Sequence, residues 1–208
     1  MRVVIPVTAA SRKPGLLRSL NCDGWWGPAL FAMATLLLLP SAGGEPLRLA
    51  LRYQRDAIAA GQWWRFVTAH IVHLDLAHAL LNATGLVLLW CLFARAWRPR
   101  QWLVATGCSM LAIGAGFWWL EPQLRWYVGA SGVLHGVFAC GCLALLRQRD
   151  VTAMIAAPIF VAKLAWEQWQ GPLPFEPAGT VVTAAHLYGA IGGAVAGLLL
   201  RRPLQQLY

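Results

Sequence analysis

Long apolar stretches alternate along the chain with short polar joints. The stretches lie at about 25–40, 68–94, 101–120, 131–147, 151–168 and 180–200. Each approaches the ~20 residues that a membrane-crossing helix requires, the first and fourth being shorter than the rest. The joints are built from turn-forming or charged residues: Pro40-Ser41-Ala42-Gly43-Gly44, Arg98-Pro99-Arg100, Glu121-Pro122, Arg147-Gln148-Arg149-Asp150 and Gly171-Pro172-Leu173-Pro174. This pattern predicts an all-α membrane protein, a bundle of six transmembrane helices. It divides the chain into an N-terminal arm over 1–24, a membrane domain over 25–202 and a short tail over 203–208. No internal repeat or separate soluble domain is apparent.

Composition makes the bilayer the expected solvent. Of 208 residues 59% are hydrophobic and 12% charged, against roughly 25% charged in a soluble domain. Trp25-Trp26, Trp63-Trp64 and Trp118-Trp119 stand at the ends of apolar runs, where amphipathic rings favour the headgroup level. The net charge of +9 raises the question of nucleic acid, but no basic stretch is long or regular enough to follow a phosphate backbone, so no such partner is expected. Cys22, Cys91, Cys108, Cys140 and Cys142 lack zinc-ligand spacing and read as apolar packing residues with no disulfide. No convincing cleavage site follows the run at 28–39, so the first span is expected to be retained.

Lys and Arg set the expected direction. With a cytoplasmic N-terminus, the inner segments hold Arg2, Arg12, Lys13, Arg18, Arg95, Arg98, Arg100, Arg147, Arg149, Arg201 and Arg202. The outer ones hold Arg48, Arg52, Arg55, Arg65, Arg125 and Lys163. The excess predicts both termini inside, with the arginines of the 41–67 loop dissenting.

Under that topology the second, fourth and sixth helices descend from the outer face, and their beginnings hold the membrane domain's conspicuous polar residues. These are His73, Asp75, His78 and Asn82 on the second, Ser131 and His135 on the fourth, and His186 on the sixth. Such side chains are costly at membrane depth and mark functional sites. Ser131 lies in Val128-Gly129-Ala130-Ser131-Gly132, where a loop enters a helix. A serine hydroxyl needs a base to become a nucleophile, and His186 is the candidate. The backbone N–H of Ser131 is a candidate oxyanion donor, with Gly129 and Gly132 giving a carbonyl room to approach. The bland alternative for these residues is a small-residue packing patch.

Gly189, Gly193 and Gly197 share a face with His186 and predict close helix approach. His78 and Asn82, four residues apart, share a face of the second helix. Both can donate to an oxyanion, or serve interhelical hydrogen bonding. His70 and His73 read as loop anchors. No carboxylate is equally placed to make a triad, Asp75 lying in the second helix's entry turn and Glu167 near the outer end of the fifth helix, so the simplest expectation is a Ser-His dyad with no cofactor or metal. Lys163 and Glu167, also four apart, read as a structural ion pair. The competing functions are an inactive binder of membrane helices and a small transporter. The apolar inner halves of the helices, as in Gly85-Leu86-Val87-Leu88-Leu89-Trp90, describe a blind site rather than a conduit.

These motifs, in this order, resemble the rhomboid family of intramembrane serine proteases. Gly129-Ala130-Ser131-Gly132 is similar to its GxSG nucleophile motif, and Ala185-His186 with Gly189 to its base-bearing last core helix. His78-Ala79-Leu80-Leu81-Asn82 resembles its HxxxN oxyanion element, and Trp64-Arg65 its first-loop WR motif. The resemblance implies a rhomboid-like six-helix bundle over most of the chain. Many rhomboids carry a tyrosine four residues after the serine, packed on the base histidine; here the residue is His135, as in the rhombosortase branch. Trp63-Trp64-Arg65, Ala162-Lys163-Leu164-Ala165-Trp166-Glu167-Gln168 and Ala185-His186-Leu187-Tyr188-Gly189-Ala190 also look like that branch. It implies a bacterial inner-membrane enzyme, with its site open to the periplasm, acting on exported proteins with a C-terminal tail of Gly-Gly, one membrane helix and basic residues. His135 is left with three readings: stacking on His186, holding a water, or serving as the base itself.

Overall fold

Each apolar stretch forms helix, because a helical backbone satisfies its own polar groups where no water is present to do so. The computed structural model describes residues 26–93, 97, 99–174 and 181–200. The expected arm over 1–24, the tail over 203–208 and Cys22 lie outside the described residues. In chain order the helices are α1 (Trp26–Leu38), a 3-10 turn (Leu39–Gly43), α2 (Gly44–Leu51), α3 (Arg55–Ala59), α4 (Arg65–Thr68), α5 (Leu76–Phe93), α6 (Pro99–Trp119), α7 (Ser131–Leu146), α8 (Val151–Gln170) and α9 (Thr183–Leu199). Among the described residues three tracts are long and apolar enough to cross a membrane: Gly27–Leu51, Leu76–Phe93 and Arg100–Trp119. Helices α7 and α9 are apolar but shorter, and α8, 20 residues long, is interrupted by Lys163 and Glu167.

The second apolar stretch, expected from residue 68, becomes regular helix only at Leu76. Asp75 sets that boundary: its Oδ1 accepts the His78 backbone N–H at 2.8 Å and caps the first turn. Asp150 does the same for α8, accepting from the Ala153 N–H at 3.1 Å. A departure from the all-helical expectation is a short antiparallel ladder of β1 (Tyr53–Gln54) and β2 (Trp126–Tyr127), with Tyr53 opposite Tyr127. Two residues are too few to show a period in sequence. The ladder ties the segment between α2 and α3 to the loop before Ser131, and Phe117 meets both Tyr53 and Tyr127 edge-on, at 5.4 and 4.9 Å.

The loop arginines act as staples. Arg65, buried in its short helix, donates to the carbonyls of Leu49 and Arg52 at 2.9 and 2.8 Å and to Gln62 Oε1 at 2.7 Å. Arg55 donates to the carbonyls of Phe117 and Trp118 at 3.0 and 2.8 Å, satisfying the end of α6 where a cation is also favoured. Arg48 donates to the Leu74 carbonyl at 2.5 Å.

Helices α7 and α9 make the closest pair. A Cβ on Gly189 would collide with the carbonyl of Gly132, and one on Gly193 with the carbonyl of Gly136. Small residues on both sides therefore let two backbones touch, as the glycine spacing predicts. At the far end Arg147 donates to the Gly197 carbonyl at 2.6 Å. The polarity of the fold suits lipid: Phe31, Leu81, Leu103, Leu111, Ile155 and Leu198 are exposed, whereas Arg65, Asn82, Glu167 and His186 are buried.

Candidate active site

Ser131 is the first residue of α7, and His186 lies in the first turn of α9. The Gly132–Gly189 contact, one turn or less from each, holds those helix ends together. Ser131 Oγ is 3.0 Å from His186 Nε2. An unprotonated Nε2 at that distance can accept the serine proton. His186 is 3% exposed, so the geometry is sheltered from competing solvent.

The loop before Ser131 is held from several sides. Gly129 has φ +118°, a conformation that any side chain would strain. Its N–H donates to the Ala69 carbonyl at 2.9 Å. Its own carbonyl accepts the Tyr127 hydroxyl at 2.7 Å and faces His70 Nδ1 at 3.3 Å. A carbonyl only accepts, so Nδ1 of His70 carries the hydrogen. Burial pushes His70 down to about 4, which keeps it neutral. Both His70 and His73 are buried, deeper than loop anchors near the surface would be.

His78 packs its ring on the same loop: a Cβ on Gly129 would come within 2.9 Å of His78 Cε1. Asn82 is buried one turn along α5, and its Nδ2 donates to the His78 carbonyl at 3.0 Å. That bond uses one of two amide hydrogens. Of the α5 pair, His78 thus packs against the loop and Asn82 bonds back to its own helix.

Beside His186 lies a compact charged cluster. His135 stacks on His186 with centroids 4.0 Å apart and planes 10° from parallel. His135 Nδ1 is 2.7 Å from the Ser131 carbonyl and its Nε2 is 2.6 Å from Lys163 Nζ. The carbonyl requires the hydrogen on Nδ1, so Nε2 accepts from the ammonium and His135 is neutral. Both nitrogens are engaged, and neither is available to Ser131 Oγ, which disfavours His135 as the base. Glu167 Oε1 accepts from Lys163 Nζ at 2.7 Å and lies 2.9 Å from His186 Nδ1.

His135, Glu167 and His186 offer ligand atoms within 4.8 Å of one another, a spacing compatible with a metal ion. Lys163 Nζ occupies the space between them, 3.3 Å from His186 Nδ1, so the cluster already contains a cation. The sequence shows no carboxylate equally placed to make a triad; in the structure Glu167 Oε1 lies 2.9 Å from His186 Nδ1. Glu167 reaches His186 because α8 packs beside α9 with Lys163 and Glu167 on its inward face. The signal was present in sequence as two charges four residues apart in a largely apolar helix, a costly placement for a merely structural pair. Tyr127 had no such signal; its role depends on the ladder that aims it at Gly129.

The Rhomboid domain family matches residues 60–203. A Bacillus subtilis (strain 168) protein named "Putative rhomboid protease YdcA" is 23% identical over 151 residues, covering 73% of this chain and 74% of its own.

Proposed function

Because the chain belongs to the rhomboid family, we propose that it is an intramembrane serine endopeptidase with Ser131 as nucleophile and His186 as general base. The 3.0 Å contact between Ser131 Oγ and His186 Nε2 carries this reading. Oγ forms a bond to the scissile carbonyl carbon while its proton passes to Nε2 and the carbonyl π pair moves onto oxygen. The Ser131 backbone N–H, the second amide hydrogen of Asn82 and the ring of His78 serve that oxyanion. On collapse the C–N bond breaks and Nε2 returns the proton to the departing nitrogen. Water then repeats the sequence on the acyl ester, restoring Ser131.

The decisive test is labelling of membranes with a fluorophosphonate, comparing the native chain with Ser131→Ala and His186→Ala. Labelling and cleavage disappear in both, and the double variant is no worse than either single, since groups acting as a unit are not additive. Equal labelling of Ser131→Ala removes Ser131 from the mechanism. In the cleavage assay Asn82→Ala lowers turnover about a hundredfold; normal turnover per folded molecule excludes it as a donor.

The fuller reading is a six-span enzyme of a bacterial inner membrane, with both termini cytoplasmic and the site open to the periplasm. A cytoplasm-dependent reporter fused after Leu207 is then active; an exported, inactive reporter overturns the orientation. The substrate class is a single-pass exported protein with a C-terminal tail of Gly-Gly, membrane helix and basic residues, as in the rhombosortase resemblance. Glycines weaken a helix by roughly 1 kcal/mol each, exposing a carbonyl that a regular helix would hide. Basic residues keep the tail's C-terminus inside and bring the glycines to the depth of Ser131. A tail with both glycines replaced by leucine is cut far less; equal, Ser131-dependent cleavage of both tails refutes this specificity and leaves a rhomboid protease.

A further inference from the structure

Glu167 is almost fully buried, and its Oε1 meets two groups, His186 Nδ1 at 2.9 Å and Lys163 Nζ at 2.7 Å. Its Oε2 is buried with no hydrogen-bond partner among the described residues. A carboxylate retained for packing alone would be expected to satisfy both oxygens. Here its hydrogen bonds go to the histidine that faces Ser131 and to the lysine that balances its charge.

From this geometry we infer that Glu167 completes a Ser131–His186–Glu167 relay as a positioning residue, with Lys163 as its internal counter-ion. The inference rests on the reading of Ser131 and His186 as nucleophile and base. The tautomer of His186 is the point at issue. If Nδ1 bears the hydrogen and donates it to Glu167, then Nε2 presents a lone pair to Ser131 Oγ. If instead Nδ1 accepts from Lys163, then Nε2 bears the hydrogen and cannot take the serine proton.

Three observations favour the productive form. The carboxylate is nearer Nδ1 than the ammonium is, 2.9 against 3.3 Å. Lys163 has closer partners in His135 Nε2 at 2.6 Å and Glu167 at 2.7 Å. His135, donating from Nδ1 to the Ser131 carbonyl, has only its Nε2 lone pair to offer, and that draws the ammonium away from His186. When Nε2 takes the serine proton, the Nδ1 hydrogen stays on the ring. Glu167 remains a carboxylate and stabilises the imidazolium formed. The cluster thus divides the work: His135 orients Lys163, Lys163 balances the charge of Glu167, and Glu167 orients His186.

The test compares purified full-length native chain with Glu167→Gln, which preserves shape and an acceptor oxygen but removes the charge. Turnover per folded molecule falls roughly a hundredfold or more, KM stays within about twofold, and fluorophosphonate labelling slows in parallel. Native turnover in Glu167→Gln, with or without lower thermal stability, overturns the inference. Should that variant not fold, Lys163→Met/Glu167→Gln removes both buried charges together and is judged by the same criteria.

An independent measurement uses the native chain: nitrogen-15 histidine spectra, with His186 assigned by its loss in His186→Ala. A resting His186 protonated at Nδ1 supports the relay, and one protonated at Nε2 overturns it. Failure of Ser131→Ala to abolish labelling would sink the Ser131–His186 reading itself, an outcome distinct from either of these.

Discussion

The imidazole of His135 lies flat on that of His186, 4.0 Å between centroids and 10° from parallel. Stacking fixes the plane of His186, and the hydrogen bonds to Ser131 and Glu167 fix its rotation within that plane. The second histidine is therefore a wall for the first.

A wall can be replaced by another flat ring. His135→Tyr is expected to retain measurable cleavage, because a phenol ring keeps the stack while losing the ring N–H that bonds the Ser131 carbonyl. His135→Ala, which removes the wall, is expected to lose more. The two variants are compared by turnover per folded molecule. Complete loss in a well-folded His135→Tyr enzyme would return His135 to consideration as the base.

The helices were legible because apolar runs and Pro-Gly joints are local signals. Ser131 and His186 were legible because polar groups in such runs are rare. The face of Gly189 and Gly193 was legible from helical spacing, and it is the face that meets α7. Glu167 was legible as the partner of Lys163, four residues away, but its contact with His186 was not, because the α8–α9 register depends on packing that no local pattern encodes. The arginines of the 41–67 loop counted against the charge bias for a similar reason. Arg48, Arg55 and Arg65 bind backbone carbonyls brought from elsewhere in the fold, so their placement answers to structure as well as to orientation.

Close contact of α7 and α9 makes a specific demand on Gly193. Its added Cβ would meet the Gly136 backbone, which has no flexible end to yield. Gly193→Ala is expected to cost about 1–3 kcal/mol of stability, as overpacking commonly does, and to reduce cleavage by parting Ser131 from His186. Gly107→Ala on α6 is the control, since nothing lies within 4 Å of a Cβ there. It should be neutral or slightly stabilising. Thermal unfolding in detergent, measured beside cleavage, checks both; equal effects of the two substitutions would refute the close-contact account.

His70 links stability to pH. Burial, opposed by its bond to the Gly129 carbonyl, lowers it from the ordinary 6.5 to about 4. The folded state thus binds the proton less readily than the unfolded state. Its contribution is fully present above pH 6.5 and is lost as pH falls toward about 4, amounting to roughly 3 kcal/mol. His73, lowered to about 4 chiefly by burial, acts in the same window. The unfolding midpoint should therefore drop across this range, and His70→Gln should make the slope shallower. An unchanged slope would show that His70 is not protonated on unfolding there.

The cation among His135, Glu167 and His186 can be exchanged. Lys163 Nζ lies 2.6, 2.7 and 3.3 Å from His135 Nε2, Glu167 Oε1 and His186 Nδ1. Shortening it to alanine leaves two imidazole nitrogens and a carboxylate within 4.8 Å of one another. Zinc binds such donors at about 2.0–2.2 Å, so a small inward movement completes three of its ligands. Coordination takes the Nδ1 lone pair of His186 and leaves any ring proton on Nε2, where it blocks transfer from Ser131. Lys163→Ala, whatever its basal rate, is therefore expected to be inhibited by micromolar zinc and restored by a chelator. The native chain, with its ammonium in place, should be unaffected in that range. Adding His135→Ala should relieve the inhibition by removing one ligand. Equal zinc sensitivity of the native and Lys163→Ala chains would show that the ion acts elsewhere, and that the lysine does not hold a metal-like position in the cluster.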